Sequence, residues 1–324
     1  MEQIIAPIDR ALLQEELKNK AKLLRRSRKG GTELYVFTAA QCPNLMKEVG
    51  RLREEAFREA GGGTGLSMDI DFFDTMDNPY WQLIDWDPAT NAILGGYRYI
   101  FGPNIQLDEK GQPILATSHM FHFSDKFIQE YLPNMLELGR SFVVVDHQSS
   151  RAGAKSLFTL DNLWDGLGAL AVALPNCKYY YGKFTMYPSY PTQGRNMILY
   201  FLQKYFPDND ELVRPYSPLR TNTDIQAMQE LFPNKEFKED YKILNSECRK
   251  LGYNIPPLVN AYMCLSPTMK TFGTAINDEF GDVEESGILI TIADIWADKH
   301  QRYIESYIEE VNKIADILNI VTPL

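Results

Sequence analysis

The stretch Leu136–Asp146, LELGRSFVVVD, sets Glu137 and Arg140 immediately before an apolar, β-rich run that ends at Val145. Such a run predicts a buried strand over Ser141 to Val145, covered on both faces. A carboxylate and a guanidinium at the entrance of a buried strand are costly to desolvate unless they are paired or put to use. Taken alone, a Glu–Arg couple reads more often as a structural ion pair, so its meaning depends on what else the chain brings to the same place.

Upstream lie the acidic residues Asp69, Asp71, Asp74 and Asp77. They lack the glycine and terminal glutamate of a calcium-binding loop, which leaves a solvated loop or a site for a cationic amine. Trp81 to Trp86 and Ala92 to Ile100 flank a turn, Asp87-Pro88-Ala89-Thr90-Asn91, and predict a β-hairpin. Gly95-Gly96 in its second strand signals a bulge or a close backbone approach, and Arg98 follows at once. Further back, Thr32 to Thr38 predicts a strand. Cys42-Pro43-Asn44 then opens a helix whose apolar face is Leu45, Val49, Leu52 and Ala56. Arg53 and Phe57 are four apart on that helix and share a face. The run Gly61 to Gly65 that ends it reads better as a C-cap than as a phosphate loop, because it follows a helix instead of opening one.

Downstream, Gln148-Ser149-Ser150-Arg151-Ala152-Gly153 separates the central strand from a long apolar helix through Leu157 and Leu174. A strand, a small-residue loop and a helix N-terminus put free backbone N–H groups and Arg151 where a phosphate could sit, although helix propagation alone also accounts for Ser and Gly there. A strand at Lys178 to Thr185, a helix at Thr192 to Phe206 and a linker-like segment at Pro207 to Arg220 follow. The rest predicts helices at Asp224 to Phe232 and Phe237 to Leu251, a strand at Gly287 to Ile292, and a closing amphipathic helix from Trp296 to Ile314. His119 and His122 have HxxH spacing but no third ligand nearby, so they read as structural and no metal is predicted.

Composition narrows the function classes. The 324-residue chain has a net charge of −10, against the basic footprint that nucleic-acid binding needs. Its four cysteines are far apart with no CxxC spacing, which suits a reducing compartment. With no run long enough to span a bilayer and no signal-peptide pattern, the expected location is cytoplasmic. Between Arg10 and Lys29, however, eight lysines and arginines meet only Glu15 and Glu16. Residues 1–33 therefore predict a basic amphipathic extension. It could touch an anionic inner-membrane surface, receive an acidic partner, or dock on its own domain.

In this order and spacing the chain resembles the GNAT superfamily. More narrowly, it resembles the hemolysin-like, acyl-carrier-protein-dependent amino acid N-acyltransferases, relatives of the acyl-homoserine lactone synthases. The markers are Arg53 with Phe57, Asp71-Phe72-Phe73-Asp74, Gly95-Gly96-Tyr97-Arg98, Glu137-Leu138-Gly139-Arg140-Ser141, Asn162-Leu163-Trp164-Asp165-Gly166-Leu167, Tyr181-Gly182 and Ile255-Pro256-Pro257 through Tyr262. The resemblance implies an α/β, GNAT-like mixed sheet flanked by helices. Its parts would be a basic extension at 1–33, an acyltransferase core at 34–206 and an added, largely helical region at 207–324. It implies transfer of a fatty acyl chain from acyl carrier protein to the α-amine of glycine or ornithine, with no permanently bound cofactor; the donor is the acyl-phosphopantetheine thioester of the carrier, or acyl-CoA.

The same resemblance implies Glu137 as general base, with Asp71 and Asp74 in the charged network; Arg140 would orient Glu137 or bind the substrate carboxylate by a bidentate contact. Arg53, Phe57, Arg98 and Ser141 would face the substrate, and Arg151, Gly153 and Lys155 the donor. One departure is that Gln148-Ser149-Ser150-Arg151 lacks the glycine of the usual GNAT phosphate loop, which weakens acetyl-CoA as donor. Two other readings stay open: a GNAT enzyme using acyl-CoA or acetyl-CoA on another amine, and a non-catalytic lipid-binding protein.

Overall fold

The computed structural model describes residues 1–147 and 154–317. In chain order the elements are α1 (Arg10–Asn19), β1 (Lys22–Arg26), β2 (Glu33–Phe37), α2 (Pro43–Ala60), α3 (Phe72–Thr75), β3 (Trp81–Asp87), β4 (Ala92–Phe101), β5 (Phe121–Phe123) and β6 (Met135–Val143). After these come α4 (Ala154–Ala173), β7 (Tyr179–Met186), α5 (Thr192–Tyr205), β8 (Val213–Pro215), α6 (Ile225–Leu231), α7 (Phe237–Lys250) and α8 (Pro257–Met263). The last are β9 (Lys270–Asn277), β10 (Val283–Thr291), α9 (Ala297–His300) and α10 (Ser306–Ile317). Contacts divide the chain into two compact units, one of Met1–Ile105, Asn134–Lys178 and the chain from Trp296, the other of Gln106–Pro133 and Tyr179–Ile295. This grouping does not follow the stretches 1–33, 34–206 and 207–324: 106–133 and 179–206 group with 207–295.

In the first unit β1, β2, β3, β4 and β6 pair antiparallel in that order. The amphipathic extension expected over residues 1–33 is only partly helical: α1 ends at Asn19, and Lys22–Arg26 is a strand laid against β2. Arg25 on that strand is buried, bonded to Glu310 Oε2 at 3.0 Å and Ser306 Oγ at 3.0 Å. The C-terminal segment lies on α4 at Gly168, where an added Cβ would stand 2.2 Å from the Tyr303 carbonyl oxygen. The hairpin β3–β4 forms as the sequence predicts. Both glycines serve close approach: a Cβ at Gly95 would meet the Phe142 carbonyl at 2.6 Å, and one at Gly96 the Leu83 carbonyl at 2.7 Å.

The central strand differs from expectation. β6 starts at Met135 and stops at Val143, so Glu137 and Arg140 lie inside the strand and not at its entrance. Val143, Val144 and Val145 are half-buried instead of enclosed on both faces. The ladder to β4 slips between Gly139 and Phe142, so that Arg140 and Ser141 together oppose Tyr97. Arg140 takes a φ of 47°, a left-handed conformation uncommon for a residue with a side chain.

In the second unit β7, β10 and β9 pair antiparallel, and β5 pairs with β8. The linker expected at Pro207 to Arg220 is instead integral to this unit: it holds β8, and Leu212 and Val213 are buried. Apolar residues inside that polar segment outweigh its proline content. His119 Nε2 lies 3.2 Å from Asn277 Oδ1, and His122 sits in β5 opposite Arg214.

Candidate active site

The site is assembled within the first unit from α2, the segment Asp69–Asp74, β3, β4 and β6. Helix α2 ends as predicted: Gly61 caps it at φ 95°, with its N–H and that of Gly62 bonded to the Arg58 and Phe57 carbonyls. Gly50 lets the acidic segment lie directly on the helix. Its carbonyl accepts the Asp69 N–H at 2.9 Å, and a Cβ there would collide with Ile70 at 2.7 Å. Arg53, one turn on, then faces α3. Asp71 caps α3 by accepting the Phe73 N–H at 2.9 Å, while Asp74 Oδ2 accepts the Asp71 N–H at 3.2 Å.

Three guanidiniums meet three carboxylates here. Arg53 Nη1 reaches both Asp74 oxygens at 3.3 and 3.4 Å, and its Nη2 donates to Gln82 Oε1. Arg98 Nη1 donates to both Asp71 oxygens at 2.7 Å and lies 3.3 Å from Asp74 Oδ2. Arg140 Nε pairs with Asp69 at 2.8 Å, and its Nη2 lies 3.5 Å from Asp71. Gln82, opposite Arg98 across β3–β4, donates to Asp74 at 2.9 Å. Arg53, Asp69, Asp74 and Gln82 are fully buried, whereas the Asp71 side chain keeps 29% of its exposure.

Balance of charge is what makes such burial tolerable. Burial alone would raise the Asp74 carboxyl, but Arg53 and Arg98 outweigh it and hold the group at about 2. Burial pulls Arg98 down, yet Asp74, Asp71 and Asp69 hold it above the ordinary arginine value. At Arg53 burial dominates, and its value is lowered despite Asp74 and Asp69.

Glu137 adds a further buried carboxylate beside this set of six. It is 1% exposed and accepts a hydrogen bond from the Tyr80 hydroxyl. The Tyr80 ring in turn lies 5.2 Å under the Arg98 guanidinium, and Phe73 packs edge-on to it at 5.7 Å. Base candidate and charged network thus share one aromatic floor.

The structure brings together Arg53, Asp71, Asp74, Arg98 and Arg140, with Glu137 linked through Tyr80. Phe57 is buried on α2 and Ser141 is half-buried at the bulge. Asp77 is exposed outside the cluster. Arg151 and Gly153 lie outside the described residues, as does the side chain of Lys155. Sequence reasoning missed Tyr80 and Gln82 as site residues and left Asp69 only as part of an acidic run. Gln82 could have been found from its hairpin position opposite Arg98; nothing in the sequence marks Tyr80.

Residues 52–157 match the acetyltransferase (GNAT) domain family. The glycine N(alpha)-acyltransferase of Bacteroides thetaiotaomicron is 62% identical over 309 residues, covering 95% of this chain and 91% of that protein. The chain belongs to its N-acyltransferase family. A second relative, the glycine N(alpha)-acyltransferase of Phocaeicola vulgatus, is 61% identical over 310 residues, with 96% and 95% covered. Among solved structures, a CoA-dependent acyl-homoserine lactone synthase with SAM and isopentyl-CoA aligns at 16% identity over 48% of this chain and 68% of its own, with a TM-score of 0.29. The match to the GNAT domain family bears out the GNAT-like α/β reading for this N-acyltransferase, and its charged cluster lies inside the matched segment. No described helix is long and apolar enough to cross a membrane.

Proposed function

We propose that this N-acyltransferase moves a long fatty acyl chain, plain or 3-hydroxylated, from the phosphopantetheine thioester of an acyl carrier protein to the α-amine of glycine, for aminolipid synthesis. The observation that carries the mechanism is Glu137, a buried carboxylate additional to the balanced Arg–Asp set and hydrogen-bonded by Tyr80. An amino acid's amine must shed a proton before it attacks a thioester, and a carboxylate beside a charged pocket suits that task. The names of the two relatives favour glycine over ornithine as acceptor.

In this reading the amine loses a proton to Glu137, directly or through one water, and attacks the thioester carbonyl. A backbone N–H of β6 near its bulge stabilises the tetrahedral oxyanion. Collapse forms the amide and expels the pantetheine sulfur, which takes up the proton. Arg53, Asp71, Asp74 and Arg98 form the charged network that shapes the amino acid pocket, and Arg140 completes the charge balance at its rim. Phe57 backs the pocket and Ser141 lines its edge, while Arg151, Gly153 and Lys155 serve the donor.

An acidic carrier needs a local basic surface on a chain of net −10. Of the N-terminal bases, Arg25 is buried and Arg28 is held by the buried Asp165 at 2.8 Å; Lys18, Lys20, Lys22 and Arg26 are exposed, Lys20 lying 3.7 Å from Glu16 and Arg26 3.6 Å from Glu33. These four are the docking candidates, and they also suit contact with the inner membrane surface from the cytoplasm.

The test is purified protein with long-chain acyl carrier protein, acyl-CoA or acetyl-CoA and a panel of amino acids. N-acylglycine from the carrier donor is the expected product. N-acylornithine would move the acceptor, and turnover of acetyl-CoA alone, with no N-acyl amino acid, would overturn the reading. Glu137→Gln should lower turnover by about 10²- to 10⁴-fold at an unchanged melting temperature; a near-normal rate removes Glu137 from the role.

A further inference from the structure

We infer that Gly139 and the Nε of Arg98 form the carboxylate end of the acceptor subsite, so that the missing side chain at position 139 selects for an α-amino acid. The inference rests on the reading of the protein as an amino acid N-acyltransferase and deepens it.

The placement follows from strand register. Arg98 on β4 is directly opposite Gly139 on β6, and Ile100 is opposite Glu137. Directly opposed residues project to the same face, and alternate residues of one strand share a face, so Arg98, Gly139 and Glu137 lie on one side of the sheet. The Tyr80 contacts agree, since its ring underlies Arg98 and its hydroxyl bonds Glu137.

Two observations point to a ligand there. Arg98 is 2% exposed, and its hydrogen bonds to Asp71 and Asp74 all leave from Nη1. Its Nε has no hydrogen-bond partner among the described residues. A buried N–H of a charged group without a partner is costly, and a bound anion would relieve that cost. Among the described residues, a Cβ built on Gly139 would meet within 4 Å only Arg98, at 3.6 Å from Nε and 3.7 Å from Cγ. Gly139 is itself half-buried, so this space is not sealed.

Among the described residues, room for a Cβ therefore lies beside a cationic N–H donor, on the face of the sheet that carries Glu137. Two residues along a strand span about 6.6 Å. That spacing suits an acceptor whose amine and carboxylate are one carbon apart, with the amine toward Glu137 and the carboxylate on Arg98. Unlike the glycines at 95 and 96, Gly139 meets no backbone, so its glycine is not demanded by packing.

Gly139→Ala separates the two explanations, because its Cβ contacts are of ordinary van der Waals length and the variant should fold. With the acyl donor saturating, glycine KM should rise about 10-fold or more, while donor KM and melting temperature stay at wild-type values. On the wild-type enzyme, glycine should exceed glycinamide and ethylamine in kcat/KM by about 10- to 100-fold, as for loss of a hydrogen bond to a charged group. Equal use of glycinamide, or an unchanged glycine KM in Gly139→Ala, overturns the subsite while glycine turnover itself upholds the parent reading. Failure of the wild type to acylate any amino acid overturns both. The acceptor series needs no variant, so it decides even if the substitution disturbs folding.

Discussion

Strand β3 carries two fully buried polar side chains on opposite faces, Gln82 and Asp85, and their surroundings obey different rules. On the Gln82 face, Asp74 is surrounded by guanidiniums and held at about 2. On the other face Asp85 accepts from the neutral Asn162 Nδ2 at 3.3 Å, with Asp87 and Asp165 as like charges nearby. Burial dominates there, and the Asp85 carboxyl is pushed up to about 7 despite hydrogen bonds from Thr32 and Asn162. Similar burial thus accompanies shifts of opposite sign, and the partner decides which. On the guanidinium-rich face Asp74 and Arg98 keep their charges at neutral pH, and that face borders Glu137, which is why chemistry is assigned to it.

The contrast can be broken most severely by removing one partner from the balanced face. Arg53→Met leaves Asp74 under-compensated and should cost about 3–5 kcal/mol in urea denaturation at pH 7. A loss below 1 kcal/mol would show that the network relaxes without it.

On the other face, the folded value of Asp85 exceeds the unfolded one, 3.8 against about 7. Stability from this group is full below pH 4 and declines as pH rises through 7, because the unfolded chain ionises first. The decline amounts to at most about 4 kcal/mol. Asp85→Asn should flatten the slope of unfolding free energy between pH 4 and 7; an unchanged slope would remove Asp85 as its source.

Asp74 carries the opposite sign. Its folded value, about 2, lies below the unfolded 3.8, so its contribution is present above pH 4 and lost as pH falls toward 2. The expected loss is about 2 kcal/mol. It is read as the difference in acid slope between wild type and Asp74→Asn, and parallel slopes would contradict the assignment.

Much of the site was legible because charged residues at strand and helix positions are conspicuous in sequence. Arg53, Asp71, Asp74, Arg98, Glu137 and Arg140 stand out in or beside apolar, periodic segments, where their desolvation demands a reason. Other features were not legible. A strand at Lys22–Arg26 cannot be told from helix by a basic apolar pattern, and it becomes a strand because β2 offers an edge. The polar stretch holding β8 looked like a linker because its two buried residues, Leu212 and Val213, are too few for a periodic signal.

The sequence by itself determined the hairpin with its close-approach glycines, the C-cap at Gly61, the α/β class and the set of charges gathered near Glu137. Only the tertiary structure decided how those charges are shared. Pairing between Arg98 and Asp71, or Arg140 and Asp69, depends on distances fixed by α2, the bulge at Arg140 and the seat of Asp69 on Gly50. Local sequence sets which groups can ionise; the three-dimensional neighbourhood sets whether burial or a partner wins. For the same reason Tyr80 beneath Arg98, and the room for a Cβ at Gly139, became visible only when β3, β4 and β6 were laid side by side.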